Sequence, residues 1–400
     1  MKTSILFSLL GSTTLSLLTL ASASDVTDTI ISNASADDID LSALPNLDAA
    51  LNEIAAVYEN AGTTPTSSKR DIGPISRRQT PSPNNIVDVH THVVPSWYQT
   101  LVPVTGQNPT PNWDLATHLS FMASEGISHS VIGFSAPGPN VYPGDKKQTL
   151  ALARIMNEQV AAYCRTNPQQ LSFYAVVPLP YVAEAINEAN YALDTLGAVG
   201  IVLTSNVEGL YLGNAQFTSF FDAINKRQGR QILYIHPGTP YLKVGSTLYE
   251  ANPTLYTTGT IEFYFETART LMDLTLTQTI HNFTNIHYVI PHVGGAFTTS
   301  IDRILKSVPP LYDSSMQIYS TRFWWDSAGP TYFHQVVGLM GFTIPTSQYL
   351  FGTDYPYAPS FTQAGSLAAV KAATWFTDAE KTAIFSGNAK NLFGNKIKFY

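Results

Sequence analysis

Ile86-Val-Asp-Val-His-Thr-His92 is the stretch on which the fold turns. It is an apolar run that ends in two histidines instead of the glycines of a phosphate-binding turn. Residues two apart on an extended strand project to the same side, so His90 and His92 face one way at the strand's C-terminal end. Seven further short apolar runs follow, at Ser128–Ser135, Leu171–Leu179, Ala198–Ser205, Gln231–Pro237, Ile286–Gly294, Phe323–Ala328 and Tyr349–Pro356. Val199-Gly-Ile-Val-Leu203 and Ile232-Leu-Tyr-Ile235 are nearly continuous apolar runs, as strands of a parallel sheet buried on both faces require. Longer helical patterns alternate with them: Asp114–Glu125, Lys147–Asn167, Val182–Gly197, Ala215–Arg227, Glu262–His281, Ala296–Lys306 and Thr331–Met340, then a closing helix at Phe376–Ser386. Asn167-Pro168 and Gly197 mark helix stops. Eight strands alternating with helices over about 310 residues predict an α/β chain folded as a (β/α)8 TIM barrel. A doubly wound open sheet usually has fewer strands and carries a glycine-rich turn after the first.

A barrel of this kind keeps its active site at the C-terminal strand ends. Those ends carry His90 and His92 on the first strand, His236 on the fifth, His292 on the sixth and Asp354 on the eighth. A barrel core needs none of these, since branched apolar residues fill it. Neutral imidazoles with one carboxylate suit zinc and similar divalent ions. His90, His92, His236 and Asp354 therefore form the expected metal shell, with a position left open for water or substrate. The competing reading is a set of satisfied core histidines. His118, His129, His281, His287 and His334 take that plainer reading.

Together Asp88-Val-His90-Thr-His92, His236, His292-Val-Gly-Gly295 and Gly352-Thr-Asp354-Tyr-Pro356 resemble the amidohydrolase superfamily. More narrowly, the chain resembles the amidohydrolase-related branch that contains aminocarboxymuconate-semialdehyde, γ-resorcylate and fungal 6-methylsalicylate decarboxylases. The similarity spans nearly all of 86–395, including Met122-Ala-Ser-Glu-Gly-Ile127, Pro178-Leu-Pro180, Gly197-Ala-Val-Gly-Ile-Val-Leu203 and Gly387-Asn-Ala-Lys-Asn-Leu-Phe393. The resemblance implies that the four ligands hold one divalent ion, zinc by default with manganese also accommodated. It implies that His292 is the acid/base beside the metal. It also implies that Arg303, eleven residues further on, reaches across a homodimer interface to a substrate carboxylate. The other reading of Arg303 is an ordinary surface charge. Two-metal relatives carry a lysine at the end of strand 4, where this chain reads Val199-Gly-Ile-Val-Leu-Thr-Ser-Asn206, which implies a single metal.

The implied reaction is non-oxidative decarboxylation of a hydroxy-aromatic acid to a phenol and CO2. His292, and Asp354 as ligand and shuttle, supply the proton to the ring carbon. Asp326, in Phe323-Trp-Trp-Asp326, either orients His292 or caps a local turn. Trp97 and Phe297, each just after a strand end, are the aromatics expected to wall the small aromatic acid. Hydrolysis of a lactone, ester or amide by metal-bound hydroxide uses the same ligands. A non-catalytic binding barrel predicts a lost ligand, and none is lost.

Composition bounds partners and destination. The 400 residues are 44% hydrophobic and 13% charged with net charge −7, which gives no case for nucleic acid or an anionic membrane. Lys2, the apolar stretch Ile5–Leu20 and Ala21-Ser-Ala23 read as a signal peptide over residues 1–23, hence a secreted or secretory-compartment protein. Residues 24–78, rich in Ala, Asp, Ser and Asn, hold the dibasic pairs Lys69-Arg70 and Arg77-Arg78 and read as a pro-segment or flexible leader ahead of a catalytic domain at 79–400. Asn33-Ala-Ser35 and Asn282-Phe-Thr284 are glycosylation sequons, and the single Cys164 reads as a small buried hydrophobe.

Overall fold

A computed structural model describes residues 23–62, 85–329, 333–358 and 360–397. Eight strands form one sheet in chain order: β1 (Ile86–Val93), β2 (Ile127–Phe134), β3 (Leu171–Ala175), β4 (Gly200–Thr204), β5 (Gln231–His236), β6 (Ile286–Ile290), β7 (Phe323–Asp326) and β8 (Tyr349–Leu350). Every neighbouring pair is parallel. The last strand returns to the first. Val89 N–H donates to the Phe351 carbonyl at 3.0 Å and His92 N–H to the Tyr355 carbonyl at 2.7 Å. The sheet is thus a closed (β/α)8 barrel, as the alternation of runs predicts.

The helices follow from local chemistry. The first eight are α1 (Ala23–Ala36), α2 (Leu47–Gly62), α3 (Ser96–Leu101), α4 (Leu115–Glu125), α5 (Lys146–Thr166), α6 (Val182–Asn190), α7 (Thr218–Asn225) and α8 (Glu262–Leu276). Asp114 caps α4 by accepting from Thr117 N–H at 2.7 Å, and Gly126 ends it in the left-handed region. Asp145 caps α5 in the same way through Gln148 N–H. The predicted stop at Gly197 holds: α6 runs into a widened last turn, Tyr191–Leu196, and Gly197 closes it at φ 84°.

Several segments differ from the sequence reading. The strand expected over Ile286–Gly294 ends at Ile290, because Pro291 cannot extend the ladder and the chain turns at His292. The strand expected over Tyr349–Pro356 is paired to β7 only at Tyr349–Leu350; beyond that its bonds go to β1. Of Ala296–Lys306 only Ile301–Leu305 is helical. Helices at Tyr312–Thr321 and Ser360–Ala372 and a hairpin of Tyr241–Val244 with Thr247–Glu250 were not anticipated.

The largest difference lies at the N-terminus. Within residues 23–62, α1 and α2 lie against the barrel with Ile30, Ala34, Ala50, Leu51 and Ile54 buried. The spacing of Ile30 with Ala34 and of Ala50, Leu51 and Ile54 makes apolar helical stripes, which the high Ala, Asp and Ser content masked. The signal-peptide reading through Leu20 and both dibasic pairs lie outside the described residues. No helix among the described residues is long and apolar enough to cross a membrane.

Candidate active site

At the C-terminal mouth of the barrel, one donor atom each from His90, His92, His236 and Asp354 lies within 4.8 Å of the other three. His90 Nε2 is 3.1 Å from His92 Nε2, and the two are 3.3 and 3.2 Å from Asp354 Oδ1. The three histidines are buried and Asp354 is partly open. Two of the histidines commit their other ring nitrogen elsewhere. His90 Nδ1 donates to Asp326 Oδ2 at 3.0 Å, and His236 Nδ1 to the Pro237 carbonyl at 2.7 Å. Those bonds fix the tautomers so that both Nε2 lone pairs face the cluster. Two imidazole nitrogens at contact distance beside a carboxylate are a donor set that a divalent cation fits.

Electrostatics agree. Burial together with the neighbouring histidines holds His236 well below the usual imidazole range, and burial lowers His92 despite its contact with Asp354. Neutral imidazole is the ligand form. Burial pushes the Asp354 carboxyl up, but contacts with His292, His90 and His92 outweigh it and hold the group well below the carboxylate range. Burial also opposes charge on His90, yet the carboxylates of Asp326 and Asp354 lift it to about 10. The positive charge that these two acids favour is what a bound ion supplies.

The backbone is bent to build this mouth. Asp354 sits at φ 61° and His292 at φ 53°, the left-handed region that non-glycine residues rarely adopt. Asp88 ties the two ends together: its Oδ1 accepts from His90 N–H and from Thr353 N–H, each at 3.1 Å, and its Oδ2 accepts from the Thr353 hydroxyl at 2.6 Å. Gly352 is needed there, since a Cβ would stand 2.7 Å from His90 Cβ.

His292 belongs to the cluster's edge, with Nε2 3.6 Å from Asp354 Oδ2. Asp326 accepts from the His292 backbone N–H at 3.1 Å through Oδ1 while Oδ2 accepts from His90 Nδ1, so it holds the His90 ring and the backbone turn at His292. Trp97, Phe297 and Arg303 are placed elsewhere. The Trp97 indole donates to Gln159 Oε1 at 3.0 Å, and its ring meets Tyr98 and Phe134, so it packs in the core. The turn at Gly294 and Gly295 swings Phe297 onto Trp325 and Tyr319, where it is fully buried. Arg303 is exposed on the Ile301–Leu305 helix.

The rings that do meet the cluster were not singled out from sequence. Tyr264 stacks on His292 at 5.7 Å and 27°, Tyr357 meets His92 edge-on at 5.3 Å, and Phe263 meets His236 at 6.1 Å. Tyr264 and Phe263 lie in the first turn of α8, far from any strand end, and only Tyr357, three residues after Asp354, carried a positional signal. Beside His236 opens an apolar chamber lined by Phe134, Val176, Leu179, Val202 and Val207, with Ser135, Asn140 and Thr204 at its walls and no lysine or arginine.

A closed parallel barrel with a buried three-histidine, one-carboxylate cluster at its C-terminal face is the architecture of the metal-dependent hydrolase class. Comparison with known proteins narrows this. Residues 87–394 match the amidohydrolase family model, and the chain belongs to that family. It is 29% identical over 292 residues to the decarboxylase yanB of Aspergillus niger, covering 68% of this chain and 77% of that one. It is 28% identical over 293 residues to the 6-methylsalicylic acid decarboxylase acuB of Aspergillus aculeatus, covering 68% and 84%. Among solved structures, an amidohydrolase II crystal structure superposes with TM-score 0.70 at 28% identity, over 77% of this chain and 99% of the other.

Proposed function

We propose that the protein is a carbon–carbon lyase that removes CO2 from a hydroxy-aromatic carboxylic acid of the 6-methylsalicylate type, leaving a phenol. The observation that carries this reading is His292, held by Asp326 and stacked by Tyr264 at the edge of a single four-donor cluster. The names of the relatives point the same way. A divalent ion, zinc or manganese by ligand chemistry, would be held by His90, His92, His236 and Asp354 and would supply Lewis-acid chemistry there.

The rest falls to the chain. His292 Nε2 holds the proton that the ring carbon must gain, and Asp354 Oδ2, 3.6 Å away, is placed to pass it back. The ring gains one proton as the bond to the carboxyl carbon breaks and CO2 departs, so charge and atoms balance. Burial of the mouth keeps water from competing. The proposal includes a homodimer in which Arg303, exposed on its helix, reaches the substrate of a second copy. The apolar leader and the exposed Asn282 of the second sequon support a secreted, glycosylated product.

The test is incubation of purified protein with 6-methylsalicylate, following CO2 and 3-methylphenol, with a chelator arm and a His292→Ala arm. Product that chelation and the substitution both abolish, with metal retained in the variant, supports the reading. A metal-loaded protein that releases no CO2 from any hydroxybenzoate tried, yet opens lactones, overturns it in favour of hydrolysis.

A further inference from the structure

The family match begins at Val87, so α1 and α2 are an addition to the part shared with the family. They are not loosely placed. Helix α2 packs on α5 and α3, and Leu44 and Ala50 line a small apolar cavity there together with Trp97, Leu101 and Leu152. Polar contacts add to that packing. Glu53 Oε2 accepts from Ser96 N–H at 3.2 Å and from the Ser96 hydroxyl at 2.7 Å, while its Oε1 accepts from the Tyr163 hydroxyl at 3.2 Å. Helix α3, which follows the strand that bears His90 and His92, has no side-chain cap of its own, because Pro95 stands at its N-cap. Glu53 supplies that cap from outside the barrel, with the negative charge that a helix N-terminus favours.

A second contact is deeper. The Arg154 guanidinium is 1% exposed, 3.0 Å from Glu188 and 2.7 Å from Asp37, with the Tyr191 ring 3.8 Å away. Asp37 lies just past α1. Without residues 23–62, Arg154 loses one of its two carboxylates. Asp37 is itself 42% exposed and Glu188 remains with Arg154, so this contact adds a partly screened second carboxylate to a guanidinium that is already paired. Helices of 14 and 16 residues are marginal alone in water, so the segment gains its structure from this surface.

We propose that the outer face of α5, with the start of α3, is a docking surface for residues 23–62 of this chain. The segment is a permanent part of the folded protein: it stays bound as a separate polypeptide when the chain is cut between residues 62 and 85. It is therefore not a pro-segment that leaves on processing. This holds whatever reaction the barrel catalyses.

The full-length chain, purified and metal-loaded, is nicked with trypsin, for which Lys69-Arg70 and Arg77-Arg78 are cleavage sites. Native gel filtration at low micromolar concentration and mass spectrometry then follow both pieces. Co-elution of the N-terminal piece with the barrel, separated only by denaturant, is expected. Elution of the short piece alone, beside a barrel that keeps its metal and its melting temperature, overturns the proposal. The double variant Asp37→Asn, Glu53→Gln gives a second reading in the uncut chain. Its α3 amides, Ser96 to Leu101, are expected to exchange with solvent at least tenfold faster while those of β5 are unchanged. Equal exchange in α3 counts against the docking contacts.

Discussion

Replacing Asp326 with asparagine tests how the cluster is held. The carboxylate is fully buried and makes three bonds: Oδ2 to His90 Nδ1 at 3.0 Å, and Oδ1 to the amides of His292 at 3.1 Å and Ala328 at 2.9 Å. Asparagine is nearly isosteric, and its oxygen in place of Oδ1 keeps both backbone bonds, so the turn at His292 survives. What changes is Oδ2. An amide NH2 there faces His90 Nδ1–H, donor against donor. The imidazole relieves the clash by moving its proton to Nε2, and that removes the lone pair aimed at the cluster. Loss of such a carboxylate partner costs about ten- to a hundredfold in metal affinity, or about 1.4–2.7 kcal/mol. Competition against a chromogenic chelator measures it, with circular dichroism to confirm that the fold is intact. A dissociation constant within twofold of wild type would refute the argument that Asp326 sets the tautomer of His90.

Three further outcomes follow from the same geometry. Gly352→Ala drives a Cβ to 2.7 Å from His90 Cβ, so the chain should lose about 1–3 kcal/mol in urea unfolding and part of its metal; a neutral result removes the close-approach argument. His118 is buried, accepts from the Trp113 indole at 3.1 Å and is pushed by burial down to about 3. A histidine whose folded value lies below the unfolded one is stabilising above about pH 6.5, and that contribution fades as pH falls from there toward 3. His118→Gln, which keeps an acceptor, should therefore flatten the acid limb of stability by up to about 1.4 kcal/mol per pH unit; an unchanged slope counts against it. Arg303→Ala should raise KM for the aromatic acid in a dimer with full metal content, and a monomer at full activity ends the case for a shared arginine.

The barrel was legible because its signal is one of period and order. Buried parallel strands need near-continuous apolar runs, and all eight stand within a few residues of their expected starts. The four-donor cluster was legible because strand ends are the one place in a barrel where histidines have no packing reason to be. Pocket aromatics carry no such mark. Trp97 and Phe297 follow strand ends yet pack inward, one because its indole N–H finds Gln159, the other because a glycine turn redirects the chain. Tyr264 reaches His292 from the first turn of α8, because that turn packs against the His292 loop: a Cβ on Gly295 would stand 2.7 Å from the Tyr264 carbonyl. No one-dimensional pattern encodes that contact. The N-terminal helices escaped for a related reason, since Ala and Ser make a weak apolar stripe until a surface exists to receive it.

The misread strand ends are informative in themselves. Two of the strands that end before their expected bounds, β6 and β8, lead within a few residues into a left-handed backbone, at His292 (φ 53°) and at Asp354 (φ 61°). A regular strand would alternate these side chains between barrel interior and exterior. The left-handed turn breaks the alternation and leaves both at the mouth, 3.6 Å apart. Such conformations cost of order 1–3 kcal/mol each and persist only when the surroundings over-determine them. Here Asp326 grips the His292 amide, and Asp88 grips Thr353 one residue before Asp354. Asp88 and Asp326 therefore have a common task. Each holds one strained corner in place, and between them they set the 3.6 Å separation of His292 and Asp354.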